Sequence, residues 1–138
     1  MAPGMRWAAV AAFLSAVAMV GAGAETPASP DGQKLYARHC LSCHQADGRG
    51  VPNMQPAIAG GSWVKGDPQP LALFVMTGGF DSAGRKESEV ENVMPPFAQL
   101  SDADLAAILS YIRAKFGGGA SAVTAAQVAA ARATLPAQ

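Results

Sequence analysis

The stretch RHCLSCHQAD, residues 38–47, holds both cysteines and both histidines of this 138-residue chain. Two thiols separated by two residues could close a disulfide or act as a redox dithiol. A thioredoxin-like dithiol needs a βαβ setting, and no such alternation surrounds Cys40 and Cys43. A zinc site needs a second pair of ligands, and the sequence has no further cysteine or histidine to supply one. The residue after the second cysteine separates these readings. Cys-x-x-Cys-His is the spacing at which both sulfurs add to porphyrin vinyl groups and the adjacent imidazole rises to the iron. Cys40 and Cys43 are therefore the expected thioether positions, and His44 the expected proximal ligand. His39 lies just before Cys40 on the same helical approach, too close to reach across the porphyrin plane, and reads as a partly exposed helix residue.

The other face of the iron calls for a soft ligand, and a thioether is one that raises the potential. Past the first 24 residues the candidates are Met54, Met76 and Met94. Met76 sits in PLALFVMTGG, where leucine, phenylalanine and valine neighbours favour core packing. Met54 follows His44 too closely to reach the far face easily. Met94 lies in NVMPPF, where two prolines remove backbone donors and hold the preceding residue in extended geometry. A stiff loop presents a sulfur with little ordering entropy left to lose, so Met94 is the favoured axial ligand.

A chain of this length, half of it hydrophobic, supports one small domain. Arg6 and the amino terminus form a positive start, residues 7–24 carry no charge, and Ala22-Gly23-Ala24 is a small-x-small cleavage signal. Residues 1–24 read as a signal peptide, 25–119 as the domain, and 120–138 as a C-terminal extension with a short helix. An uncleaved anchor is the rival reading, because 18 uncharged residues approach the roughly 20 that span a bilayer. From Glu25 onward nine Lys and Arg face ten Asp and Glu. So even a balance argues against nucleic acid or an acidic membrane as partner.

Helical signals dominate. Ser29-Pro30 reads as a cap and first helical position, with Leu35, Tyr36 and His39 on a face leading to the cysteines. Asp67-Pro68 opens a second helix that stops at Thr77-Gly78-Gly79. Ser101-x-x-Asp104 precedes Leu105, Ile108, Leu109, Ile112 and Phe116 at helical spacing, ending at Gly117 to Gly119. Thr124 can cap a further helix with Val128, Ala131 and Leu135 on one face, either docked on the domain or turned to a partner. Residues 81–91, DSAGRKESEVE, read as a solvated loop. No run alternates with period two long enough for a strand, so the expected fold is all-α.

The chain resembles small monohaem bacterial cytochromes c with His/Met ligation. The resemblance is carried by GQKLYARHCLSCHQADGRGVP, QPAIAGGSWVKGDP and VMPPFAQLSDADLAAILSYIRAKFG. It is similar, in its tail FGGGASAVTAAQVAAARA, to cytochrome domains that serve or are fused to exported dehydrogenases and nitrite reductases. The resemblance implies a cytochrome c fold of three to four helices and long loops around one covalently attached haem c. It also implies that the last long helix crosses the first near a small residue, with Gly32, Tyr36, Leu109 and Tyr111 as candidates. A proline carbonyl should accept the second N–H of His44, from Pro56 or, less favoured, Pro52.

With both axial positions filled by His44 and Met94, the expected activity is reversible one-electron transfer, by a periplasmic carrier and not an enzyme. Its partners would be redox proteins such as a periplasmic dehydrogenase, reductase or terminal oxidase, with no membrane contact unless the leader is retained. The alternatives are a dedicated electron-entry subunit of a dehydrogenase complex, and a haem sensor with a displaceable Met94. A core this small leans on the apolar surface of the porphyrin. The unhaemylated chain is expected to lack cooperative thermal unfolding; a sharp calorimetric transition in the Cys40→Ala, Cys43→Ala double variant would show otherwise.

Overall fold

A computed structural model describes Met1 and residues 30–80 and 93–135. The expected leader beyond Met1, the proposed cap Ser29 and the charged stretch 81–91 lie outside the described residues. Among the described residues six helices follow in order: α1 Pro30–His39, α2 Leu41–His44, α3 Ser62–Lys65, α4 Pro68–Met76, α5 Asp102–Phe116 and α6 Ala125–Arg132. No strand occurs among the described residues, and one isolated antiparallel bridge joins Val51 to Gln55. The fold is all-α. The expectation of three to four helices matches the longer ones; α2 and α3 are single four-residue turns, too short to carry a 3.6-residue pattern.

Three of these helix starts have a local cause in a capping side chain. The Asp67 carboxylate accepts the Gln69 amide at 2.9 Å, with Pro68 at the first position of α4. The Ser101 hydroxyl accepts the Asp104 amide at 3.1 Å to start α5. Thr124 and Gln127 exchange side-chain and backbone bonds in a full capping box at α6.

The core lies where α5 meets α1, α4 and α6. Leu105, Ile108, Leu109, Ile112 and Phe116 of α5 are buried, together with Tyr36, Leu71, Ala72, Val75, Met76 and Val128. α1 crosses α5 at Gly32. A Cβ there would collide with the Ala107 carbonyl oxygen and stand 3.2 Å from the Tyr111 Cβ. One turn on, Tyr36 packs its ring 5.3 Å from Tyr111 and 5.6 Å from Phe116. The crossing thus uses Gly32, Tyr36 and Tyr111, whereas Leu109 points into the core and is fully buried.

Two buried polar side chains of α5 tie in the rest. Arg113 is 3% exposed. It donates to the carbonyls of Val64 (3.2 Å) and Gly66 (2.7 Å) at the end of α3, and to the Ser121 carbonyl (2.6 Å). The carbonyls that a helix end leaves without partners are thereby satisfied. Ser110 accepts the Val123 amide at 2.9 Å and donates to the Val123 carbonyl at 3.1 Å. These bonds dock the segment before α6, which lays Val128 and Ala131 into the core, both buried. The apolar face of α6 is covered by its own domain.

The crossing gives a test. Gly32→Ala gains about 1 kcal/mol of helix propensity, yet its methyl meets a backbone carbonyl that cannot rotate aside. We expect a net loss of about 1–3 kcal/mol in denaturant titration of the holoprotein.

Candidate functional site

α1 runs directly into the site. The Cys40 amide still bonds back to the Tyr36 carbonyl at 2.8 Å, and the Cys43 and His44 amides bond to the Cys40 carbonyl at 3.2 and 2.9 Å. Both thiols and the imidazole therefore project from one compact turn. Both cysteines are free thiols; Cys40 is buried and Cys43 half-buried. Burial, with the neighbouring Cys43 adding to it, pushes the Cys40 thiol up to about 11. The Ser42 hydroxyl lies 3.9 Å from the Cys43 sulfur.

His44 Nδ1 lies 3.1 Å from the Pro56 carbonyl oxygen. A carbonyl only accepts, so the contact is a hydrogen bond when Nδ1 carries the proton, and Nε2 then keeps its lone pair. Burial holds the His44 pKa below its ordinary value against the opposing effect of that hydrogen bond. Neutral imidazole is the form a metal ligand requires.

The loop that brings Pro56 to His44 is tightly knit. Val51 and Gln55 exchange backbone bonds of 3.0 and 2.9 Å across a turn that contains the exposed Pro52. The amides of Ile58 and Ala59 both bond to the Gly48 carbonyl, at 2.8 and 2.9 Å. Gly50 has φ +65, and a Cβ on it would run into the carbonyls of Gln55 and Pro56, so glycine gives the approach its room. Gln45, next to His44, sits at φ 60, ψ 169, a region nearly reserved for glycine. Three bonds around its peptide units hold it there: its amide to Leu41, and its carbonyl accepting from Gly48 and from the Tyr36 hydroxyl at 2.7 Å.

Met94 lies in a separate segment, half-buried against the core. Its loop rests on the end of α4: a Cβ on Gly78 would strike the Met94 carbonyl at 2.6 Å, and the Phe97 amide bonds to the Val75 carbonyl at 3.2 Å. Phe97 in turn meets the ring of His39 edge-on, centroids 6.0 Å apart. His39 thus links the last turn of α1 to the Met94 loop. Met76 is fully buried in the core, and Met54 is exposed. Trp63 stacks on Phe74 at 4.5 Å, an aromatic pair that the sequence reading did not single out. The Tyr36 bond to Gln45 and the Arg113 clamp were missed too. The only signals were a tyrosine one turn before the cysteines and an arginine interrupting an apolar helix face.

The donor chemistry fits a covalently attached haem: two free thiols on one turn, a neutral imidazole oriented through Nδ1, and partly buried Trp63, Phe74 and Met94 beside the core. The cytochrome c family model matches residues 29–115. A cytochrome c-552 of Thermus thermophilus is 35% identical over 94 residues, 65% of this chain and 63% of that protein. The gluconate 2-dehydrogenase cytochrome c subunit of Pantoea cypripedii is 34% identical over 108 residues, 75% of this chain and 24% of the subunit. The cytochrome c subunit of the quinone alcohol dehydrogenase of Gluconobacter oxydans is 36% identical over 92 residues, 64% of this chain and 19% of the subunit. The chain therefore spans just under two thirds of the first relative and a quarter or less of the dehydrogenase subunits.

Burial, with Cys40, Tyr111 and Asp47 adding to it, raises the Tyr36 hydroxyl to about 12. The folded state then holds this proton more tightly than the unfolded state, so its contribution is complete below pH about 10 and declines as pH rises from there through 12. Tyr36→Phe is expected to lower stability at pH 7 by about 1 kcal/mol through loss of the Gln45 bond. In denaturant titrations at pH 9 to 12 the variant should show a shallower alkaline decline than the wild type.

Proposed function

This chain belongs to the cytochrome c family, whose members carry electrons on covalently attached haem, and we propose that it is an exported one-electron carrier serving a redox enzyme. Cys40 and Cys43 would hold the porphyrin as thioethers, and His44 and Met94 would bind its iron. When bound, the haem supplies a reversible one-electron couple. The chain's own residues supply attachment, ligand orientation and restricted access. The observation that carries the reading is the Cys40–Cys43–His44 turn with His44 Nδ1 set 3.1 Å from the Pro56 carbonyl. That bond fixes the ring orientation and the tautomer that leaves Nε2 for iron. The Gly78 contact and the Phe97 bond hold the Met94 backbone at the end of α4, which limits the loop's freedom to surrender its sulfur.

The leader pattern at residues 1–24 supports a periplasmic location, and no helix among the described residues is long and apolar enough to cross a membrane. The named dehydrogenase subunits among the relatives support an exported dehydrogenase as partner. The apolar face of α6 is buried in its own domain, which supports a carrier that docks transiently over a subunit held through its tail. Near-balanced charge leaves docking to a mostly apolar patch with little electrostatic steering.

The test is an optical spectrum of the holoprotein in both oxidation states. A weak far-red band in the oxidised protein, lost in Met94→Ala, is the expected result; its survival in that variant would reassign the ligand. Carbon monoxide should bind the reduced wild type slowly and the variant rapidly. Electron-transfer rates with a dehydrogenase partner should change only slightly between low and moderate salt.

A further inference from the structure

The Met94 loop is held on a second side by the last helix. Arg132, at the end of α6, directs its guanidinium onto the segment that joins this loop to α5 and onto the first residue of α5. Nη2 donates to the Leu100 carbonyl at 2.7 Å, Nη1 donates to the Ala98 carbonyl, and Nε donates to the Asp102 carboxylate at 2.8 Å. Arg132 and Asp102 are each about a third exposed, so water competes for these bonds only in part. The three acceptors fan out over the planar fork of one side chain, a pattern that a lysine ammonium cannot reproduce. Ala98 is four residues from Met94. The loop is also bound to α4, through the Phe97 amide and the close approach to Gly78.

We propose that Arg132 is a positioning residue for Met94: by fastening Ala98 and Leu100 to α6, it sets how readily the sulfur leaves the iron. This rests on the reading of Met94 as axial ligand. An external ligand gains the iron only in the fraction of molecules whose loop has opened, so its apparent affinity scales with that fraction. Local opening of a loop is separate from global unfolding and responds to the bonds that close it. The C-terminal helix thereby acts on the haem site through the Arg132 side chain.

The experiment is imidazole titration of the oxidised holoprotein, with amide exchange at Phe97 and Leu100, for wild type, R132A, R132K and D67A. R132A should bind imidazole about tenfold more tightly and exchange those two amides faster by a similar factor, the size set by losing several half-exposed hydrogen bonds. R132K should recover part of the difference. D67A, which removes the cap at the start of α4, at the other end of that helix from the loop, lowers global stability through the lost cap and should leave imidazole affinity within about twofold of wild type, as expected for an opening independent of global stability. Wild-type affinity and exchange in R132A would overturn the proposal. So would an equal shift in D67A, because general loosening would then account for it. M94A tests the underlying reading separately: a far-red band that survives there removes the ligand assignment. Loss of the band in M94A with an inert R132A removes only the role of Arg132.

Discussion

The close crossing of α1 over α5 at Gly32 is the constraint on which the rest of the structure depends. A bare α-carbon lets the two backbones meet where any side chain would collide with the Ala107 carbonyl. That contact sets the direction in which α1 delivers its last turn, and Cys40, Cys43 and His44 follow with no intervening loop. Tyr36 extends the crossing toward the site, with its ring on Tyr111 and Phe116 and its hydroxyl on the Gln45 carbonyl. The tilt of one helix on another is thereby passed to the position of His44.

The C-terminal half of α5 performs the same service for the loops. The Phe116 ring lies under Gly48, its carbonyl accepts the Gly60 amide at 2.9 Å, and Arg113 gathers Val64, Gly66 and Ser121. A buried guanidinium with no carboxylate partner among the described residues is tolerable because each of its three nitrogens meets an acceptor, and no buried side-chain nitrogen or oxygen among those residues lacks a partner. Removing this side chain would leave several carbonyls unsatisfied at once. Loops that would otherwise be the least stable part of so small a domain are thus fastened to its most buried helix.

The site is assembled from segments that meet through these supports. His44 is oriented by a carbonyl twelve residues downstream, and its neighbour Gln45 is held in a strained conformation by contacts from α1, α2 and the loop. Met94 belongs to a loop attached to α4 on one side and α6 on the other, with Phe97 bridging to His39. His39, read from sequence as a bystander, packs against the loop that carries Met94. Burial at both ends favours neutral thiol and neutral imidazole.

The sequence by itself determined the elements whose causes are local. Covalent spacing made Cys40, Cys43 and His44 a unit, apolar periodicity marked the buried face of α5, and Asp67, Ser101 and Thr124 announced helix starts through their own side chains. Only the tertiary structure decided what depends on two distant segments meeting. It selected Gly32 as the point where backbones touch, set Pro56 instead of Pro52 against His44, and turned the apolar face of α6 onto its own domain. It also revealed Arg113 and Arg132 as clamps on carbonyls; an arginine interrupting the apolar face of α5 signals a buried charge, not the carbonyls that it meets. The physical reason is that a backbone carbonyl is identical at every position in the chain. Which one a side chain meets is fixed by packing, and packing exists only once the chain has folded.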